Sequence, residues 1–436
     1  MSRHVKICHT SDWHLGHTLH GHDRAYEHGC FLGFLLDVLE REEVDALVVA
    51  GDIFHTANPP AAAQSQLYSF FAEARARMPK LDVLLIAGNH DSAARLGAAD
   101  PILRHIGVRV VGPVPREGRG GRAPVRVDEL VVPLCDRGGE VAAWVAAVPF
   151  LRPSDLPVAD AVEGGDSLVD PLIEGVRRVY DGVLGAARAK RKPDQALLAT
   201  GHCHMVAATP SELSERRILG GPQHALPTDL FPDDVSYVAL GHLHLPQAVG
   251  EHGHIRYSGS PIPLSMPEES YPHQLRIVRF EGGQLAEQRE VRIPRAVDVL
   301  RIPGDGPGSL EDVLGQLAQL ELPAVDNKAR WPFLEVRVQL DSPVPDLRHR
   351  IEQAVFGSGE GAAQAVRLVK IGVTHTHRGA ALAESAPRRE LGDLSVDDVF
   401  KRAFERKFEG QPDKALMRAF HEVAEAARRQ LEGGSG

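Results

Sequence analysis

Five times within the first 244 residues an apolar run ends and Asp, Asn or His follows within a few positions. The segments are Asp12-Trp13-His14, Gly51-Asp52, Gly88-Asn89-His90-Asp91, Gly201-His202 and Gly241-His242-Leu243-His244. The runs that precede them are short, strongly apolar and bounded by turn residues, as buried strands are. Strands are expected over 5–9, 46–50, 83–87, 142–148, 196–200 and 237–240. Between the first two, Phe31, Leu32, Leu35, Leu36 and Leu39 recur at helical spacing, and 61–78 reads as a second helix. That β-α-β-α rhythm calls for an α/β layered domain. Asp12, Asp52 and Asn89 then fall at the C-terminal ends of three strands, with His202 and His242 after two later ones. Open α/β sheets collect ligand sites along that edge, so residues far apart in the chain can converge there.

A lone His on a loop is usually a polar surface residue, and no single segment would carry weight. Together the five supply seven oxygen and nitrogen donors. That is enough to hold two divalent metal ions about 3.5–4 Å apart, the arrangement used for in-line displacement at phosphorus. Imidazole combined with carboxylate and amide oxygen suits Mn²⁺, Fe or Zn²⁺ better than Ca²⁺. A carboxylate at a sharp strand end, as in Gly51-Asp52, is shaped to bridge two ions. Asn89 adds a neutral donor, and His90 beside it could reach a leaving oxygen. Hydrolysis of a phosphoester is the chemistry this pattern serves.

Composition removes several other classes. The 436 residues suffice for two or three domains, and no stretch approaches the 18 continuous apolar residues of a membrane span. The N-terminus enters a strand-like run at Val5 without the apolar region of a secretory signal. Four cysteines (Cys8, Cys30, Cys135, Cys203) are scattered without a CxxC pair, which fits a reduced, cytoplasmic protein. Cys203 lies between two histidines, but thiolate zinc sites bring several Cys at close spacing. The net charge of −10 argues against binding nucleic acid through overall positive charge, though not against a local basic track. Arg177-Arg178, Lys190-Arg191-Lys192 and Arg216-Arg217 read as solvated surface charge.

Near Gly282-Gly283 the organisation is expected to change. From about 295 to 373 the pattern gives strand 297–302, helix 310–320, strand 333–340, helix 346–356 and strand 366–373, with Leu334, Val336, Val338 and Leu340 on one face. Beyond Thr374 the chain turns polar and then helical: Val396, Phe400, Phe404 and Phe408 repeat every four residues, and Leu416, Phe420, Val423, Ala427 and Leu431 begin a second stripe. These two stripes suit either a self-packed hairpin or a surface that docks on a partner helix. Gly433-Gly434-Ser435-Gly436 reads as a flexible tail.

The run from His9 to Gly16, Ala50-Gly51-Asp52-Ile53-Phe54, Gly88-Asn89-His90-Asp91, Gly201-His202 and Gly241-His242-Leu243-His244 resemble, in order, the motifs of the calcineurin-like metallophosphoesterases. The Asp12-Trp13-His14-Leu15-Gly16 opening and Gly259-Ser260-Pro261-Ile262-Pro263-Leu264-Ser265 resemble the SbcD-type nucleases within that family, over essentially the whole chain. The resemblance implies an α/β fold: a metallophosphoesterase β-sandwich flanked by helices (1–285), a small α+β capping domain (295–375) and a C-terminal helical partner-binding region (390–432). It also implies that Asp12, His14, Asp52 and His244 hold one metal, and Asp52, Asn89, His202 and His242 the other, with two Mn²⁺ as the usual ions and other divalent metals possible. His90 would stabilise the transition state and protonate the leaving group, and His55 would position a phosphate. Asp91 is expected to be structural, His204 is left out as coming too early for the last motif, and His17, His20 and His22 are expected to be loop or DNA-proximal residues. The implied function is a DNA nuclease acting on duplex ends, hairpins and blocked ends as a homodimer. An SbcC-type ATPase would be its partner and the nucleoid its place of action, with 61–78 as a dimer surface.

Rival readings share the metal core. A protein Ser/Thr phosphatase would continue Gly-Asp-x-x-Asp-Arg-Gly, whereas Gly51-Asp52 runs on to Ile53-Phe54-His55-Thr56-Ala57. A small-molecule or cyclic-nucleotide phosphodiesterase is the alternative, but such a single compact domain would leave 295–436 unexplained. A scaffold that has lost activity fits poorly with a complete donor set.

Overall fold

The computed structural model describes residues 3–118, 123–157, 170–209, 225–322, 326–357, 365–375 and ten positions between Asp397 and His421. Two six-stranded sheets form the body of the first compact unit. In the first, the order is Gln284–Arg292, Gln274–Glu281, His4–Thr10, Ala46–Ala50, Asp82–Ile86 and Val108–Val111. The last four of these strands run parallel, and Gln274–Glu281 joins His4–Thr10 antiparallel. In the second sheet the order is Gln247–Val249, His252–Tyr257, Tyr237–Gly241, Ala196–His202, Val141–Ala147 and Val131–Cys135, parallel through its four inner strands.

Alternation along the strands explains why the runs are apolar at every position. Ile7, Val48, Ala50, Leu84 and Ile86 face the shared core with Leu198, Val238, Leu240 and Val145 of the other sheet. Their neighbours Cys8, Leu47, Val49 and Leu85 face the opposite way, into a second core with the helices Ala25–Arg41 and Ala61–Arg77. Those helices bury Phe31, Leu32, Leu35, Leu36 and Leu39 from one and Leu67, Phe70 and Phe71 from the other. Each large side chain fully buried in this way stabilises the layer by about 1.5–3 kcal/mol. All six expected strands and both helices form, with ends moved by at most a few residues except at helix Ala25–Arg41, which begins six residues before Phe31.

The second sheet carries a helix on its far side, Pro171–Lys190, which is not among the expected elements. Asp170 caps it by accepting from Leu172 N at 2.9 Å, and Val176, Val179, Tyr180, Val183, Leu184 and Ala187 form its buried stripe. The basic pairs on it behave as solvated charge: Arg177 pairs with Asp229, Arg178 with Glu174 and Lys190 with Asp128. Arg216-Arg217 lies outside the described residues. The expected change at Gly282-Gly283 does not occur there. These glycines turn the hairpin between Gln274–Glu281 and Gln284–Arg292, so the first sheet continues to Arg292. Gln284–Arg292 is an edge strand with mostly polar, part-exposed positions, which is why no apolar run announced it.

Beyond it, Phe333–Leu340 pairs in parallel with Val299–Ile302, Gly308–Ser309 and Arg367–His375. Leu334, Val336, Val338 and Leu340 pack against Leu310–Ala318 and Leu347–Phe356 on one face. The other face presents Phe333, which packs with Leu19, Met266, Val297 and Val299. Its ring lies beneath the guanidinium groups of Arg24 (5.3 Å) and Arg367 (3.9 Å), so aromatic and cation contacts tie the small sheet to the large ones.

The second compact unit comprises residues 216–223 and 378–436. Among its described residues, Phe400 and Phe420 stack with centroids 4.0 Å apart, and His421 Nε2 meets Asp397 Oδ2 at 2.8 Å. The two aromatic stripes therefore face one another at that point. Val396, Phe408, Val423, Ala427, Leu431 and the terminal Gly433–Gly436 stretch lie outside the described residues.

Candidate metal centre

The loops that follow the strands are tied to one another before any side chain is considered. Asp12 N donates to Gly51 O (3.0 Å), His14 N to Asp52 O (3.0 Å) and Leu15 N to Ile53 O (2.9 Å), joining the first two loops. His90 N donates to Asp52 Oδ1 at 2.8 Å, and His242 N reaches both Asp12 carboxylate oxygens at 3.0 and 3.2 Å. Asp12, His14, Asp52 and His242 all have positive φ, from 46° to 99°. Strain of that kind, of order 1–3 kcal/mol per residue, persists where surrounding structure enforces it and clusters at functional sites. Two glycines permit the approach. A Cβ on Gly88 would overlap Asp52 Oδ1 and its main-chain N, and Gly51 combines φ +90° with contact to the His202 ring.

The side chains converge as their placement on strand ends requires. Ligand atoms of Asp12, His14 and His244 lie within 4.8 Å of one another, as do those of Asp12, Asp52 and His202. Asp52 Oδ2 is 3.4 Å from both His14 Nε2 and His202 Nε2, so it sits between the two groups. Asn89 Oδ1 is 2.9 Å from His202 Nε2 and 3.2 Å from His242 Nδ1. Asp12, His14, Asp52, His202, His242 and His244 are all buried, at no more than 4% exposure, and Asn89 is half-buried.

The donor set fits divalent cations. Burial favours the neutral ring of His14 and His242 and holds both far below the ordinary imidazole range, leaving lone pairs for a metal. His14 Nε2 makes no hydrogen bond. Burial, the largest influence on Asp52, pushes it upward, but the imidazoles of His202 and His90 outweigh it and hold the carboxylate well below the usual range. His202 is the reverse case. Burial favours its neutral form, yet Asp52 pushes it up to about 9. A buried carboxylate that must borrow a proton on a neighbouring imidazole is a site short of positive charge. His202 Nδ1 lies 2.8 Å from Ala50 O and donates to it, which fixes Nε2 toward Asp52 and Asn89.

His90 and His55 share one wall with His14, their ligand atoms within 4.8 Å of one another. His90 Nδ1 donates to His55 O at 2.8 Å, and His55 Nδ1 is 3.3 Å from His14 Nδ1. Asp91 has the structural part expected of it. Its Oδ2 accepts from Ile53 N (3.1 Å) and Gly88 N (2.8 Å), and its Oδ1 from Phe54 N (2.9 Å), clamping the second loop to the third. Burial and the nearby Asp52 carboxylate push it up to about 7.

Three histidines expected to act alike separate. His20 is exposed and His22 half-buried, but His17 is buried, its ring edge-on to His55 at 4.6 Å. It is a loop residue outside the candidate metal groups, with its ring against the site wall. His204 joins none of the candidate metal groups among the described residues, and burial pushes the Cys203 thiol up to about 12, away from a thiolate. Sequence reasoning missed Glu268, whose Oε1 lies 3.1 Å from His244 Nδ1.

Residues 5–246 match the calcineurin-like phosphoesterase model, and residues 295–408 match the model of the type 5 capsule protein repressor C-terminal domain. The SbcD component of the SbcCD nuclease from Rhodobacter capsulatus is 39% identical over 407 residues, covering 92% of this chain and 94% of that protein. Its counterpart from Escherichia coli K12 is 32% identical over 401 residues, with 91% and 92% covered. The chain belongs to the SbcD family of calcineurin-like phosphoesterases. The Bacillus subtilis member is 29% identical over 427 residues, 96% of this chain and 98% of its own length. Membership makes the chain a metal-dependent phosphodiesterase, and the buried His/Asp cluster is its candidate divalent-metal site. No described helix is long and apolar enough to cross a membrane.

Proposed function

We propose that this chain is a Mn²⁺-dependent DNA nuclease, a double-strand exonuclease and a hairpin and blocked-end endonuclease, working in the cytoplasm at the nucleoid in an ATP-driven complex with an SbcC-type ATPase. The observation that carries the reading is the position of Asp52, equidistant at 3.4 Å from His14 and His202 and so able to bridge two ions. Asp12, His14, Asp52 and His244 would hold one, and Asp52, Asn89, His202 and His242 the other. Two divalent ions held by these residues would supply charge neutralisation on the phosphate and an activated water. His90 donates its Nδ1 proton to His55 O, so protonating the leaving oxygen would fall to Nε2, which must carry a second proton to do so. His55 and His90 together would orient a phosphate oxygen.

The domain division that goes with this reading is 1–285 for the nuclease, 295–375 for the cap and 390–432 for the region that binds the ATPase. The nuclease would form a homodimer through the outer face of Ala61–Arg77, where Tyr68 is 43% exposed. The test is cleavage of an end-labelled linear duplex with Mn²⁺, comparing wild type with Asp52→Ala, with and without the ATPase and ATP. Cleavage that is lost in the variant and stimulated by partner plus ATP is the expected result. Absence of DNA cleavage alongside retained hydrolysis of a small phosphodiester would overturn it in favour of a small-substrate phosphodiesterase.

A further inference from the structure

We propose that Glu268 is a positioning residue that fixes which nitrogen of His244 faces a metal. The inference rests on His244 being a ligand, as proposed above. Glu268 is fully buried. Its Oε1 lies 3.1 Å from His244 Nδ1 and accepts from Ser265 Oγ at 3.0 Å, while Oε2 accepts from Leu264 N at 2.9 Å. These three neighbours act as donors, which suits an ionised carboxylate. Nδ1 of His244 therefore carries the ring proton, and the lone pair that would bind a metal is on Nε2.

The segment that delivers Glu268 is built around His244. Ser260 N donates to His244 O at 3.1 Å, and a Cβ on Gly259, where φ is +77°, would press against that same carbonyl. The His273 ring spans the carbonyls of Ser260 (2.8 Å) and Glu268 (3.2 Å), closing the segment on itself. Metal-bound imidazoles generally donate their second N–H to a carboxylate or carbonyl, which sets the tautomer and raises ligand basicity. His202 uses the Ala50 carbonyl for this purpose, and His244 uses a charged group.

A Gln at 268 cannot satisfy both sides. Leu264 N–H is fixed by the backbone and demands the amide oxygen, so the amide NH₂ faces His244 Nδ1. That forces the opposite tautomer and places a proton on Nε2, where the metal would bind. The experiment uses the full-length chain and its Glu268→Gln, His244→Gln and doubly substituted variants. Mn²⁺ affinity is measured by calorimetric titration. The ring tautomers of ¹⁵N-histidine-labelled, metal-free protein are read by NMR, with His244 assigned by the signal lost in His244→Gln.

The expected results are an Nδ1–H tautomer at His244 in the wild type and a shift to Nε2–H in Glu268→Gln. Mn²⁺ affinity should fall by about 10–100-fold in that variant, with no further loss when Glu268→Gln is added to His244→Gln. A folded Glu268→Gln with wild-type affinity overturns the proposal, as does an additional full loss in the double variant. An Nε2–H tautomer in the wild type overturns it without any substitution at 268, should that variant not fold. Wild-type affinity in His244→Gln overturns the ligand reading itself, a separate failure that the single variants distinguish.

Discussion

Asp91→Asn tests whether the spacing of two loops, rather than the ligands alone, makes the centre. Asp91 holds three buried N–H groups, two at Oδ2 from Ile53 and Gly88 and one at Oδ1 from Phe54. An asparagine can place its amide oxygen where Oδ2 was, but its NH₂ then meets the Phe54 N–H donor to donor. At pH 8 and above, where Asp91 is ionised, one charge-assisted bond of about 1.5–3 kcal/mol is lost and the other two become neutral and weaker, so a destabilisation of roughly 2–4 kcal/mol is expected. That lies within a total stability of about 5–15 kcal/mol, so the variant should fold. Without the clamp, Asp52 and Asn89 drift apart in the metal-free protein, and binding must restore their separation. About 2 kcal/mol spent in that way corresponds to roughly 30-fold weaker Mn²⁺ binding. Thermal melting of metal-free protein and calorimetric Mn²⁺ titration measure the two effects. An Asp91→Asn variant that melts lower but binds Mn²⁺ with wild-type affinity would refute the loop-spacing argument, and one unchanged in both would refute the clamp altogether.

Other perturbations separate the ligand shell, the small module and the C-terminal helices. Gly88→Ala inserts a Cβ into Asp52 Oδ1 and N, and the resulting shift of the bridging carboxylate should cost about 100-fold in phosphodiester turnover with circular dichroism unchanged. Glu335 is buried, yet Arg301 and Lys370, each 2.8 Å away, outweigh the effect of burial and hold its pKa below the ordinary glutamate value. It binds fewer protons folded than unfolded, so its contribution is fully present above the unfolded pKa and is lost as pH falls through the folded one. The melting difference between wild type and Glu335→Gln should therefore be largest above about pH 5 and shrink toward pH 3. Phe400→Glu with Phe404→Glu breaks the Phe400–Phe420 stack and should abolish co-purification of the partner ATPase while small-phosphodiester hydrolysis persists.

The parts that could be read from the chain are those in which one residue reports its own environment. A strand such as Ala46–Ala50 is buried on both faces, so its apolar run and the Asp that ends it are visible without knowing any partner. The inner strand His252–Tyr257 and the edge strand Gln284–Arg292 are both half solvated, and their polar alternation resembles loop. The stripe of Pro171–Lys190 is regular, but nothing of chemical interest flanks it to draw attention.

Site residues divide along the same line. Asp12, Asp52 and Asn89 sit where strand ends place them, whereas Glu268 lies 24 residues beyond His244, a separation set by the path of a loop and by no helical or strand period. His17 shows the limit from the other side. It follows the turn at Gly16 (φ +84°) and packs its imidazole on His55, whereas His20 faces water. Ligands that touch a metal directly are constrained to a few residue types at strand ends. Residues that act through a ligand are constrained only to reach its second nitrogen, which a carbonyl does at His202 and a carboxylate at His244. Several solutions satisfy that weaker demand, so no spacing rule could have announced Glu268. Its role needed the fold that carries residues 259–268 back over His244.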